Sequence, residues 1–155
     1  MGDHVGRFAI DIAASNPNIL YAICDCRDRD EGVYRSTDKG NTWQQVNEEP
    51  VRAGYDFCLI KVSPDNENEI YLPGQRTYTS QDGGKTYRQI GGTIVHLLDH
   101  DSPVLHLDTH DMWIDPSNTD HLILGNDGGL FVSYDRGDTW LHLNNLPIGE
   151  FYDVT

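Results

Sequence analysis

The sequence of 155 residues predicts an all-β fold built from three copies of one four-strand unit. Three observations carry this expectation. An eight-residue phrase recurs as STDKGNTW (Ser36 to Trp43), SQDGGKTY (Ser80 to Tyr87) and SYDRGDTW (Ser133 to Trp140), at spacings of 44 and 53 residues. Recurrence at roughly this interval marks a repeat architecture, in which each copy is one supersecondary unit. Short apolar runs also alternate with clusters of Gly, Asn, Asp and Pro about every 8–12 residues, and no segment carries an apolar stripe at helical spacing.

The elements follow in order within each unit. The first strand alternates, with Phe8, Ile10 and Ile12 set against Ala9, Asp11 and Ala13 in the first copy, so its two faces meet different surroundings. A turn rich in Asn, Pro and Asp follows, written SNPN, SPDNEN and DPSNTD. It leads to a short apolar second strand. A third strand runs into the repeated phrase and a fourth leaves it.

The phrase has the chemistry of a tight hairpin. Ser36, Ser80 and Ser133 open it, the carboxylates of Asp38, Asp82 and Asp135 accept hydrogen bonds from turn amides, and Gly40, Gly84 and Gly137 supply positive φ. Trp43, Tyr87 and Trp140 begin the fourth strand and tuck under the turn. These twelve residues are expected to be structural. The units are expected at about residues 5–50, 54–92 and 106–146, and IGEFYDVT, within 147–155, is expected to open the first strand of a further unit.

The pattern S-x-D-x-G-x-T-W resembles the Asp-box, or BNR repeat, of sialidases, xyloglucanases and sortilin-type receptor ectodomains, which are β-propellers. The run WIDPSNTDHLILGNDGGLFVSYDRGDTWLHLNNLPIGEFYDV resembles a narrower group of large bacterial BNR-repeat proteins, described as glycosyl hydrolase-like or sortilin-like. The resemblance covers nearly the whole chain. It implies propeller blades with the box on the third-to-fourth-strand turn, away from the ligand face, and an extracellular or periplasmic location. Rings usually close with about 4–8 blades, so three blades imply part of a seven-bladed or larger propeller, completed by further blades of the same protein. Sister chains closing the ring together are the alternative.

Composition narrows the partners. Acidic residues outnumber basic ones 25 to 11, for a formal charge of −14, and the average field of such a surface repels nucleic acid and anionic membranes. No run of about 18 apolar residues is present to span a membrane as a helix. The opening MGDHVGRFAIDIAAS lacks the basic start and apolar core of a secretory signal. The three cysteines are an odd number, and Cys24 and Cys26 share one side of a strand. They are expected to be buried or spare thiols, since no second Cys pair completes a zinc site.

Two segments depart from the repeat on the expected ligand face, CDCRDRDEG (Cys24 to Gly32) and GTIVHLLDHDSPVLHLDTHD (Gly92 to Asp111). The second holds four of the seven histidines. If it enters the sheet, His106, Asp108 and His110 share one side as a ligand-binding cluster, a divalent-metal half-site or an acid/base group. Hydrogen-bonded polar residues lining the channel are the plainer reading. The resemblance implies a similar His/Asp-rich run before the WIDP strand. His96, Asp99, His100 and Asp101 read as a solvated loop.

The turn GNDGG (Gly125 to Gly129) either serves strand geometry alone or presents its amides to an anion and Asp127 to the channel. Trp113, Tyr71 and Phe131 are expected in packing between units. Three functions remain open: a module binding a protein, peptide or glycan, a glycoside hydrolase, and a scaffold whose site lies on other blades. Hydrolysis needs two carboxylates about 5–10 Å apart, for which Asp108, Asp111 and Asp127 are the candidates. The scattered arginines argue against the arginine cluster of a sialidase.

Overall fold

The structure, a computed structural model, describes residues 6–25, 31–47, 58–92 and 105–145. The expectations placed on Cys26, His96, Asp99, His100, Asp101 and residues 147–155 lie outside the described residues. Three four-stranded antiparallel sheets make up the fold, each joined in simple sequence order. The first holds β1 (Arg7–Ile12), β2 (Leu20–Asp25), β3 (Gly32–Ser36) and β4 (Gln44–Gln45). The second holds β5 (Lys61–Val62), β6 (Ile70–Leu72), β7 (Thr77–Ser80) and β8 (Arg88–Gly91). The third holds β9 (Thr109–Ile114), β10 (Leu122–Asn126), β11 (Gly129–Ser133) and β12 (Leu141–His142). These are the blades of a β-propeller.

Two turns recur in every blade and explain why the sequence repeats. The first-to-second-strand turn is a double turn: Asn16 N–H donates to Ala13 O and Ile19 N–H to Asn16 O, and the same pair recurs at Ser63/Asn66/Glu69 and Asp115/Asn118/His121. The repeated phrase makes the other. Ser36 Oγ accepts from Gly40 N–H at 2.8 Å and donates to Asp38 Oδ1 at 2.8 Å, while Asp38 takes the Thr42 amide at 2.8 Å and its hydroxyl at 2.6 Å. The bonds repeat around Ser80, Asp82, Gly84 and Thr86, and around Ser133, Asp135, Gly137 and Thr139. A backbone bond joins the two turns in each blade, from Lys39, Gly83 and Arg136 N–H to Asn18, Asn68 and Asp120 O. Both turns therefore lie at one end of the blade.

The left-handed backbone is broader than the phrase's glycine alone predicts. Lys39 (φ 61°), Gly83 (77°) and Arg136 (58°) precede Gly40, Gly84 and Gly137, which are also positive. Two consecutive left-handed residues give the twist that suits a hairpin. The fourth-strand aromatics also differ: Trp43 Nε1 donates to Gly40 O within its own turn, whereas Trp140 Nε1 donates to Ile90 O in the preceding blade, both at 3.0 Å.

The core lies between blades. One cluster joins Tyr21, Ile23 and Val33 of the first blade to Ile60, Val62, Ile70 and Leu72 of the second. The other joins Tyr71 to Leu105, Met112, Leu122, Leu124, Phe131 and Trp140 of the third. First strands stand side by side, since Asp11 Oδ2 accepts from Val62 N–H at 2.7 Å and Lys61 Nζ pairs with Asp111 at 3.1 Å. Tyr71 and Phe131 are packed between blades as expected, but Trp113 is 48% exposed. It meets the edge of His121, which stacks on Tyr134, on the outer face of the third blade. That face is turned away from the second blade.

The first blade is uncovered on its opposite face. Ile10 is 61% and Ile12 52% exposed, yet the matching positions Ile60 and Val62, and Met112 and Ile114, are buried against a preceding blade. Cys24 corrects the expectation of thiols, because it is disulfide-bonded. Cys58 keeps its thiol, within hydrogen-bonding range of the Arg7 and Ile23 carbonyls.

Candidate functional site at the mouth between the second and third blades

The end of the blades opposite the repeated turns carries the second-to-third-strand turns and the links between blades. The described part of the long link, from Leu105, is stitched to both neighbours. Asp108 N–H and Thr109 N–H donate to Gln75 O (3.3 Å) and Gly74 O (2.9 Å) of the second blade, and the Thr77 and Thr109 hydroxyls meet at 3.1 Å. On the other side Asn126 Nδ2 donates to His106 O at 3.2 Å, while its Oδ1 accepts from Gly128 N–H at 2.9 Å. A Cβ at Gly128 would lie 2.7 Å from that of His106, so the GNDGG turn has a glycine there because the link passes against it.

These contacts bring His106, Asp108, His110 and Asp127 together. His110 Nε2 lies 2.5 Å from Asp127 Oδ1, with both side chains open to solvent. Burial pushes the Asp108 carboxyl above its usual range and the charge of Asp127 adds to this, against the opposing pull of His106 and His110. Asp111 sits apart from this group. Its partial burial is outweighed by the Met112 amide and by Lys61, which hold its carboxyl low.

The alternation expected of His106, Asp108 and His110 does not hold. The strand begins only at Thr109, and Asp108 is left-handed (φ 61°), which breaks the two-residue period. His106 Nδ1 lies 2.9 Å from Leu107 O, and His110 turns to Asp127. Among the described residues no group of three or more His, Cys, Asp or Glu side chains is arranged to hold a metal ion, so the metal half-site at His106, Asp108 and His110 has no geometric support.

Sequence reasoning named Asp127 without its partner, and it missed His142. That imidazole stacks on Phe131 with ring centroids 4.6 Å apart and reaches Gly128 O at 3.0 Å, bracing the turn from below. The GNDGG turn signalled Asp127, at the tip of the hairpin, and the pairing of β9 with β10 is what brings His110 to it.

The chain matches no protein-family model. It is 28% identical over 140 residues to a probable oligoxyloglucan-reducing end-specific xyloglucanase of Neosartorya fischeri, covering 82% of this chain and 17% of that protein. It is 27% identical over 140 residues to the dispase autolysis-inducing protein of Streptomyces mobaraensis, covering 89% of this chain and 31% of that protein. The chain thus spans less than a third of either relative. Among solved structures, the GH74 xyloglucanase from Xanthomonas campestris superposes with a TM-score of 0.68 at 17% identity, over 90% of this chain and 23% of that one. YCF48 from Cyanidioschyzon merolae gives 0.57 at 21% identity, over 89% and 36%. At such identities the likeness shows the fold, a propeller shared by xyloglucanases and by YCF48. Among the described residues no helix is long and apolar enough to cross a membrane.

Proposed function

We propose that the chain forms three consecutive blades of a larger Asp-box propeller of seven or more blades, and that its channel-side mouth binds a glycan or a protein or peptide ligand. The exposed Ile10 and Ile12, at positions buried in the other two blades, support a further blade before the first. The ligand reading is carried by one observation, the polar group of the exposed His110 and Asp127 with the half-buried Asp108 and His106 where two blades meet. An extracellular or periplasmic location accords with it. Titrating the intact protein with xyloglucan oligosaccharides, beside an Asp127→Ala variant, tests it. Binding that weakens at least tenfold in the variant supports the mouth as the site. Unchanged binding moves the ligand elsewhere and leaves these blades as scaffold.

A glycoside hydrolase is the second reading, favoured by the xyloglucanase relative and by the raised Asp108 carboxyl beside Asp127. A general acid needs a carboxyl that keeps its proton near working pH, and a second carboxylate across the sugar completes the pair. Release of reducing ends from xyloglucan, lost in Asp108→Asn with binding retained, is the expected result. Equal release by Asp108→Asn overturns this assignment of the acid.

A further inference from the structure

At the opposite end of the blades, between the first and second sheets, lies a cleft of about 310 Å3 lined by Arg35, Trp43, Gln44, Asn68 and Lys85 among others. The matching place between the second and third sheets is filled. There Arg136 occupies the position of Gly83 and reaches across to Glu69 and Asp65 while also bonding Asp120 of its own blade, and Arg88 pairs with Asp138 at 2.7 Å. At the first junction Gly83 contributes no side chain, and Gln44 and Lys85 stand where Arg88 and Asp138 pair. The space is therefore open, and Arg35 and Lys85 bring its cations, with Glu67 3.9 Å from Arg35 and the Asp82 carboxylate also in the lining. The carboxylate of Asp82, the acid of the lining, is committed to the Ser80 and Thr86 hydroxyls and the Lys85 and Thr86 amides.

Arg35 is built into the cleft rather than laid on the surface. Its NH2 donates to Asn68 Oδ1 at 3.3 Å, and its guanidinium carbon lies 5.7 Å from the Tyr21 ring centroid. Its Nε is buried and has no hydrogen-bond partner. A buried donor left unsatisfied calls for an explanation, of which a bound water, ion or ligand acceptor is one. Beside it the Trp43 indole is pinned by its Nε1 to Gly40 O and remains 39% exposed, although the equivalent Trp140 is buried.

We propose that this cleft is a second binding site, separate from the channel mouth, which takes an acidic saccharide: the Trp43 ring faces the sugar, and Arg35 with Lys85 holds its carboxylate. A guanidinium matches a carboxylate in shape and charge, an indole face suits the apolar face of a sugar ring, and the volume is at the lower end for small-molecule sites.

Titration calorimetry of the intact protein with digalacturonic acid, beside the uncharged disaccharide lactose, tests this site. Saturable binding of digalacturonate is expected, at least tenfold tighter than lactose, falling about tenfold in Lys85→Gln and in Trp43→Ala and unchanged in Asp127→Asn. Lys85 is exposed, so its variant tests the site without disturbing the core. Equal binding of the two sugars, no binding of digalacturonate, or full retention in Lys85→Gln and Trp43→Ala overturns the proposal. So does tighter binding of an acidic hexapeptide at the same residues.

Discussion

Trp140 Nε1 donates a hydrogen bond to the carbonyl of Ile90, 50 residues earlier and in the neighbouring sheet. The same residue type in the first copy, Trp43, satisfies its indole within its own turn. The repeated aromatic thus serves as a local clasp in one blade and a rivet between blades in another. Trp140→Phe keeps most of the buried ring but leaves the Ile90 carbonyl without this donor, at a cost of roughly 1–3 kcal/mol. Trp43→Phe is expected to cost less, since that indole is partly solvated. Paired denaturant titrations of the two variants check the difference.

Arg136 binds the almost fully buried Glu69 carboxylate, along with Asp65, Asp120 and the Thr119 hydroxyl. Glu69 also accepts from Tyr71 Oη at 3.0 Å, and burial, followed by the Glu69 charge, pushes that phenol up. Removing the cation strands a buried charge. Arg136→Met is expected to destabilise by roughly 3–5 kcal/mol. The double variant with Glu69→Gln is expected to regain part of that loss. Additive losses in a double-mutant cycle would show that the two residues are not coupled.

The turn carboxylates set the response to acid. Partial burial pushes Asp65 and Asp82 up, but hydrogen bonds outweigh it and hold both at about 2: Ser63, Thr119 and Arg136 act on Asp65, and Thr86, Ser80 and the Lys85 amide on Asp82. Folded values below the unfolded one, about 3.9, mean that their contribution is complete above about pH 4 and is lost as pH falls toward 2. Urea midpoints are expected to drop through that window, and less steeply in Asp82→Asn.

Asp108 runs the other way. Its folded value is raised, so the stability linked to its proton is present at low pH and lost as pH rises through that folded value. Asp108→Asn is therefore expected to stabilise the fold at neutral pH and to leave the acid limb unchanged. A melting temperature that falls at pH 7 would contradict this.

Lys39 is left-handed at the place that holds glycine in the second copy, Gly83. Left-handed backbone costs a residue with a Cβ roughly 1–2 kcal/mol, part of which glycine returns as unfolded-state entropy. Lys39→Gly is expected to stabilise by a few tenths to about 1 kcal/mol, read as a rise in melting temperature.

The blades were legible because their information is local. Strand alternation, the Asn-rich turn and the Ser-Asp-Gly-Thr hairpin each act within about ten residues, and every copy repeats them. What failed was tertiary. Nothing local tells Arg136 that its partners are Asp65 and Glu69, and the even spacing of His106, Asp108 and His110 suggested a shared face until the backbone turned at Asp108. The uncovered state of Trp113 likewise depends on a neighbour, not on its strand. Asp127 was found by its turn, but its partner His110 emerged only when β9 was set beside that turn.

The two cores have no buried residue in common, yet the middle blade contributes to both, with Ile70 on one side and Tyr71 on the other. Opening the middle blade therefore exposes both cores at once. Stability in such an array follows nearest-neighbour coupling, so a substitution in either core is expected to quicken amide exchange in β6 and β7. The middle blade is the party wall of the three, and a crack on either side runs through it.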